Sequence, residues 1–202
     1  DRPMATAKRK TLASIVGASA AAALLVAIPR EESGREVAVA IAPSGEATVT
    51  HLSGKQYLNA YLDIVGVPTA CDGITKGVKM GQRYTEAQCA RMLEDELVIH
   101  AEGVMKCTPG LHPAGRDNQR AASVLTAYNI GVGAWCKSTA ARRFNAGDIV
   151  GGCEAIGPYF TIRTANGQTK RVNGFIMAGG KPVRGLILRR EREKALCLKG
   201  IK

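Results

Sequence analysis

Aromatic side chains are scarce in this chain. Phe, Tyr and Trp together make up 4% of its 202 residues. Proteins that bind single-stranded nucleic acid stack successive bases on aromatic rings, so this composition argues against that class. Acidic residues are also few, with 17 Asp and Glu against 28 Lys and Arg and a formal net charge of +11. Such a surplus favours an anionic partner: nucleic acid, anionic lipid or the acidic polymers of a cell envelope.

The arginines do not restore the nucleic-acid interpretation. Their spacing fits no motif that reads a groove of the double helix, so we predict no nucleic-acid partner. Attraction to an anionic envelope explains the charge equally well, and a solvated basic surface is the simplest structural alternative. The positions concerned are Arg142, Arg143, Arg189, Arg190 and Arg192.

Large aliphatic residues are sparse in the long uncharged run at 11–29, which is mostly Ala, Gly and Ser. Residues 1–3 precede Met4 and look like a remnant to be left out of fold reasoning. Lys8, Arg9 and Lys10 then precede the run, and its length is that of a marginal membrane span. This basic flank predicts a cytoplasmic N-terminus and transfer of the remaining chain across the membrane.

Several interpretations of the run remain open. It could be a cleaved signal peptide, a permanent anchor, or a weak anchor that can leave the bilayer. A buried Ala-rich helix of a soluble domain is the structural alternative. We predict an anchor segment over 1–29, a linker over 30–48 and a compact domain over 49–202.

Within the compact domain the patterns predict mixed secondary structure. We expect a short helix at 49–58, short strands with tight turns at 60–75, and a long helix that Thr85 caps. The next helix spans 118–129, and Ser138 and Asp148 cap two more. Turns at Asn166-Gly167 and Asn173-Gly174 predict a hairpin, and Pro182 opens a last helix that ends near Leu198. The expected class is α+β, a small β lobe and a larger helical lobe joined by the long helix, with a cleft suited to a polymer.

Four sequence blocks make the interpretation specific. Residues 60–75 (AYLDIVGVPTACDGIT), 118–139, 142–148 and 185–197 resemble, in this order, the corresponding elements of phage lysozymes. Together they extend over 49–198, nearly the whole predicted domain. Four blocks in the right order are a strong signal, whereas one would be weak.

The resemblance implies a lysozyme-like fold and hydrolysis of the β-1,4 bond between N-acetylmuramic acid and N-acetylglucosamine during host lysis. It implies peptidoglycan as the partner, a monomer, and no cofactor or metal. The N-terminus resembles that of signal-arrest-release endolysins, in which an Ala/Gly-rich helix holds the inactive enzyme at the host inner membrane until it escapes into the periplasm.

The family cleaves with a Glu that acts as the general acid and with an Asp and a Thr that hold water. Asp63 and, six residues later, Thr69 match the last two positions. A carboxylate that shapes the turn before Gly66 is the structural alternative for Asp63. Asp72, beside Cys71, is expected only to shape a turn.

The acid has no match at the expected spacing. The family places it about nine residues before the Asp, which here is Gly54, and 50–63 contains no Glu. Allowing for an insertion moves the position to Leu52 or Ser53, and we favour Leu52. We therefore hypothesise an inactivated variant; the rival is that a Glu from elsewhere serves, with Glu46 the nearest upstream.

Six cysteines allow fifteen pairings, and sequence alone does not choose among them. Pairing neighbouring elements gives Cys71 with Cys89, Cys107 with Cys136, and Cys153 with Cys197. Static bonds are favoured, although Cys71 is the best candidate for a redox-linked change. A zinc site from Cys107, His112 and His100 lacks a tight ligand pair and is not predicted.

Two other functions compete with a hydrolase. A peptidoglycan-binding protein that kept the fold but lost its acid would bind sacculi without cleaving them. A membrane-anchored basic protein with an unrelated ligand would not bind sacculi.

Overall fold

The computed structural model describes residues 9–201. The remnant at 1–3 and the start of the predicted basic flank, Lys8, lie outside the described residues. An α+β arrangement is confirmed, with eight helices and four two-stranded sheets among the described residues.

The chain begins with two buried helices. The helix α1 (Leu12–Val16) has Thr11 as its N-cap, and α2 (Ala18–Ser33) follows after a break at Gly17. Their inward faces belong to the main hydrophobic core and are at most 1% exposed; they carry Leu12, Val16, Ala20, Ala21, Leu24, Leu25 and Ile28. The part of 11–29 that was expected to stand apart as an anchor therefore packs inside the domain. Across residues 9–201, no helix has both the length and the apolar content needed to cross a membrane.

A β-hairpin replaces the predicted linker. The strand β1 (Glu36–Ile41) pairs antiparallel with β2 (Ala47–Ser53), and Val39 faces Val49. The linker expected over 30–48 and the helix expected over 49–58 were therefore wrong. In EVAVAI, more exposed positions alternate with more buried ones, which is the period of a strand. In ATVTHLS, β-branched residues continue this pattern. The hairpin contacts α2 through β1 and α3 through β2, so no domain boundary separates it from the core.

The small lobe continues with two very short strands. The strand β3 (Tyr61–Leu62) pairs with β4 (Pro68–Thr69), as the turn-rich pattern predicted. A loop leads from there to α3 (Glu86–Cys107). Thr85 caps α3 in a capping box with Gln88, which confirms the predicted start of the long helix.

The larger lobe is helical. After α3 the chain makes a single 3-10 turn at Pro109–Leu111. The helices that follow are α4 (Asp117–Ile130), α5 (Val132–Cys136), α6 (Thr139–Asn145) and α7 (Ile149–Ile156), and α8 (Arg184–Leu198) comes after the last strands. The side chains of Ser138 and Asp148 accept backbone hydrogen bonds at the starts of α6 and α7, as predicted. Trp135 is fully buried, and its Nε1 donates to Thr108 Oγ1 at 2.9 Å.

Two hairpins precede α8. The strands β5 (Tyr159–Arg163) and β6 (Thr169–Asn173) enclose the predicted turn at Asn166-Gly167. The turn expected at Asn173-Gly174 instead marks the end of β6. A second hairpin, β7 (Met177–Ala178) and β8 (Lys181–Pro182), turns at the intervening glycines.

The predicted start of the last helix was also wrong. Pro182 belongs to β8, and α8 begins two residues later at Arg184. The Val183 N–H donates to the Ile176 carbonyl at 2.8 Å, so the chain is still extended there.

The cysteines form three disulfides, and their pairing agrees with the prediction. Cys71 bonds Cys89, Cys107 bonds Cys136, and Cys153 bonds Cys197. The first ties the small lobe to α3, and the others join α3 to α5 and α7 to α8. The bonds therefore link neighbouring elements.

Burial of α2 has a measurable consequence. Leu24→Ala removes a side chain that is 0% exposed, and we expect it to lower the free energy of unfolding by about 3 kcal/mol. Ser19→Ala changes an exposed position of the same helix and serves as the control. Urea unfolding measures both variants. Equal stabilities would contradict the placement of α2 in the core.

Candidate active site

Asp63 lies in the tight turn that joins β3 to β4. Its Oδ1 accepts hydrogen bonds from the backbone N–H groups of Val65 (2.9 Å) and Val67 (2.8 Å). Among the described residues Oδ2 has no hydrogen-bond partner, and the residue is partly exposed. The carboxylate therefore shapes its turn with one oxygen and leaves the other available.

Thr69 stands on the partner strand, opposite Tyr61. It is 4% exposed, and its Oγ1 donates to the Val67 carbonyl at 2.9 Å. This bond uses the hydroxyl proton, so the lone pairs of Oγ1 remain free to accept. Asp63 and Thr69 thus belong to one short hairpin, in the region where the sequence predicted short strands with tight turns.

The positions expected for the acid lie elsewhere. Leu52 is on β2 with 62% of its surface exposed. At Gly54, a Cβ would lie 2.9 Å from both the Arg35 Cα and the Gly34 oxygen, so no side chain fits there. The upstream rival, Glu46, is exposed and its backbone oxygen closes the β1–β2 turn by accepting from the Ala42 N–H.

A different carboxylate occupies the junction of the two lobes. Glu32 is in the last turn of α2, and its Oε1 accepts from Arg189 Nη1 at 2.9 Å. Its Oε2 has no hydrogen-bond partner among the described residues and faces Gly73, where an added Cβ would lie 3.8 Å from it. The end of α2 therefore brings a free carboxylate oxygen against the loop that follows Thr69.

This carboxylate lines a polar cavity of about 330 Å³. The loop after β4, the helix α3 and the helix α4 form its other walls, through Gly73, Thr75, Glu96, His100 and Tyr128 among others. The space lies where the small lobe meets the helical lobe, which is where the sequence predicted a cleft.

Glu32 precedes Asp63 by 31 positions, so the spacing of about nine residues expected for an acid does not lead to it. The β1–β2 hairpin lies between the two residues, and its two ends meet where Gly54 packs against Gly34 and Arg35. The alternation of β-branched residues with Ala from Val37 to Ile41 was the signal that could have revealed this hairpin.

Arginines of α8 hold the end of α2 in place. Arg189 binds Glu32 and also Glu193, the latter at 3.2 Å. Burial raises the pKa of Glu193, although Arg190 and Arg189 oppose that shift. Arg189 is therefore shared between a buried carboxylate and the one in the cavity.

The adjacent carboxylate, Glu31, faces away from the cavity. Arg192 donates two hydrogen bonds to it, both 2.7 Å long. Burial acts to raise the pKa of Glu31, but these bonds and the charges of nearby arginines outweigh burial and hold the pKa below its usual value. Neighbouring glutamates of α2 thus have different surroundings.

Tyr128 and His100 form the helical wall of the cavity. Their rings lie 5.0 Å apart, and His100 Nδ1 is 2.8 Å from the Glu96 carbonyl oxygen. Burial, followed by the charges of Glu32 and Glu96, raises the pKa of Tyr128 far above its ordinary value, so its phenol stays protonated. The cavity consequently offers one hydroxyl donor beside two carboxylates.

Residues 53–193 match the family described as Phage lysozyme. The SAR-endolysin of Enterobacteria phage P21 is 33% identical over 193 residues, which cover 95% of this chain and 96% of that protein. The SAR-endolysin of Bacteriophage PS119 is 34% identical over 170 residues, 83% of this chain and 90% of that one.

Solved structures of two phage proteins are also similar. The endolysin from Escherichia coli O157:H7 phage FAHEc1 superposes with a TM-score of 0.59 at 26% identity, covering 89% of this chain and 92% of that one. The active form of the P1 phage endolysin Lyz gives a TM-score of 0.58 at 26% identity, over 72% and 78% of the two chains.

Proposed function

Because the chain belongs to the phage lysozyme family, we propose that Glu32 is its general acid and that Asp63 and Thr69 hold the water that attacks the sugar. The chain is a glycoside hydrolase of the muramidase kind, an endolysin that hydrolyses peptidoglycan. The bond cleaved is, in this proposal, the β-1,4 linkage from N-acetylmuramic acid to N-acetylglucosamine.

The observation that carries the assignment is the contact of Glu32 with the loop after Thr69. A general acid must reach the glycosidic oxygen in the groove between the lobes. Glu32 lies in the last turn of α2, lines the cavity between the lobes, and has one carboxylate oxygen without a hydrogen-bond partner within residues 9–201. Leu52 meets none of these requirements, because its side chain is exposed on β2.

This assignment replaces the hypothesis of an inactivated variant. That hypothesis depended on the lack of a glutamate at the family spacing, and a carboxylate from α2 removes the need for one at position 52. For the same reason a binding protein without catalytic activity is no longer the simpler alternative.

In the proposed reaction, protonated Glu32 gives its proton to the leaving oxygen as the bond to the anomeric carbon breaks. The Oδ2 of Asp63 and the lone pairs of Thr69 Oγ1 orient a water molecule toward that carbon, and Asp63 stabilises its developing positive charge. The water oxygen bonds to the anomeric carbon and its proton passes to Asp63; exchange with solvent then re-protonates Glu32 and deprotonates Asp63. Arg189 holds the Glu32 side chain in the groove throughout.

The first test replaces the acid. Glu32→Gln removes the transferable proton with little change in shape, and we expect the rate of dye release from labelled sacculi to fall about a thousandfold. Glu31→Gln is the matched control, since it changes the neighbouring carboxylate that binds Arg192 outside the cavity.

Leu52→Glu tests the earlier hypothesis in the same assay. We expect the unmodified chain to be active and Leu52→Glu to add nothing. An inactive chain that gains activity from Leu52→Glu would reverse the assignment.

The second test concerns the water-holding pair. Asp63→Asn keeps an oxygen for the turn but loses the charge that stabilises the cationic transition state, so we expect a loss of about a hundredfold. Asp95→Asn, an exposed aspartate on α3 that pairs with Arg9, is the control. Wild-type rates for Asp63→Asn, measured on the same sacculi, would rule out its catalytic role.

We also propose that residues 11–29 first enter the host inner membrane and later join the domain in the periplasm. Support comes from the basic residues before the run, its Ala, Gly and Ser composition, and the SAR-endolysin names of the relatives. A helix with so few large aliphatic residues inserts weakly, which suits a segment that must leave the bilayer.

Exposed positions of α1 and α2 allow a test that spares the core. Replacing Ser14, Ala18 and Ser19 by Leu strengthens insertion, and we expect a larger membrane-bound fraction in expressing cells. Gln at the same three positions should give more periplasmic protein. The two variants fractionating alike would contradict the membrane route.

A further inference from the structure

A buried ion pair joins the end of α2 to the loop that faces Glu32. Arg35 Nε and Nη2 donate to the two carboxylate oxygens of Asp72 at 3.0 and 2.7 Å. The two side chains are only 6% and 2% exposed. Such a bidentate pair fixes orientation as well as distance, because the guanidinium is planar.

Ser33 adds a second connection to the same carboxylate. Its Oγ lies 2.9 Å from Asp72 Oδ1 and 2.9 Å from the Pro29 carbonyl oxygen. The Ser33 hydroxyl, whose single proton these two acceptors share, lies between the last turn of α2 and Asp72. Between Ser33 and Arg35 the chain turns at Gly34, whose φ of +68° ends the helix and favours glycine.

The residues that form these bonds are next to the contact between Glu32 and Gly73. Ser33 follows Glu32 directly, and Asp72 directly precedes Gly73, the residue that Glu32 faces. The loop is itself held in place, since Cys71 is bonded to Cys89 on α3 and its N–H donates to the Tyr57 carbonyl at 2.8 Å. The disulfide-linked loop and the helix end are thus joined at residues next to Glu32 and Gly73, which line the cavity.

We propose that Arg35 and Asp72 are positioning residues that set where the Glu32 carboxylate stands in the groove. The proposal rests on the assignment of Glu32 as general acid. It gives Asp72 a role beyond shaping a turn. It also links Arg35, the residue just before β1, directly to the proposed active site.

The charges around Glu32 determine what loss of this pair does. Arg189 reaches Glu32 from α8, Glu96, His100 and Tyr128 face the cavity from α3 and α4, and Asp72 lies behind Gly73. Asp72→Asn removes the negative charge on the loop after β4. It also leaves Arg35 without its counter-charge. The net field at Glu32 then becomes more positive, which favours its ionised form.

The experiment compares Asp72→Asn and Arg35→Lys with Glu31→Gln in the full chain. Glu31→Gln breaks an ion pair of α2 that does not reach the loop. For Asp72→Asn we expect kcat on sacculi to fall about tenfold, with apparent KM within twofold. The alkaline limb of the pH–activity profile of Asp72→Asn should move to lower pH. Arg35→Lys should keep more activity than Asp72→Asn, because the positive charge at position 35 is preserved. The control should show neither the kcat loss nor the movement of the limb.

A second measurement separates this proposal from the catalytic one. The carboxyl carbon of Glu32, identified as the ¹³C signal missing from Glu32→Gln, is titrated in the unmodified chain and in Asp72→Asn. We expect the midpoint to fall in the variant. An unchanged midpoint and kcat in folded Asp72→Asn would overturn the positioning role. An active Glu32→Gln with the midpoint shifted as expected would overturn only the role of Glu32 as the acid.

Discussion

The proposed active site depends on one contact, that of the end of α2 with the loop after β4. It brings Glu32 from the N-terminal helices to the small lobe that carries Asp63 and Thr69. Burial of the Ala-rich face of α2 supplies the driving force, since its small side chains let the helix pack closely among its neighbours. Polar contacts at the helix end then set the direction of the carboxylate.

The charged residues of α8 complement that packing. Arg189 and Arg192 bind Glu32 and Glu31 on consecutive positions of α2, and Arg190 neutralises the buried Glu193. Some of the arginines that could have formed a solvated basic surface, Arg189 and Arg190, are therefore buried. Arg189 and Arg192 offset the negative charges of Glu32 and Glu31, which lie next to each other at the C-terminal end of α2, where negative charge is unfavourable. The remaining cations stay available to attract an anionic wall.

The β1–β2 hairpin separates Glu32 from Asp63 along the chain, which is why the spacing of about nine residues does not lead to the proposed acid. Its ends meet at Gly34 and Gly54, so the chain leaves α2 and returns toward β3 at nearly the same place. Spacing in sequence measures chain length, whereas catalysis depends on distance in space. A spacing of nine residues before Asp63 corresponds to Gly54, and allowing for an insertion moves the position to Leu52, whereas Glu32 lies well outside that range.

The sequence by itself determined the parts that depend on local rules. Thr85, Ser138 and Asp148 predicted helix starts because capping is a bond between residues three apart. The AYLDIVGVPT block predicted the Asp63 turn, and pairing neighbours predicted the disulfides. Only the tertiary structure decided that α2 is a core helix and that Glu32 faces Gly73. An Ala-rich run suits a bilayer or a protein interior equally, and the surroundings it finds depend on residues more than eighty positions away, on α4 and α8.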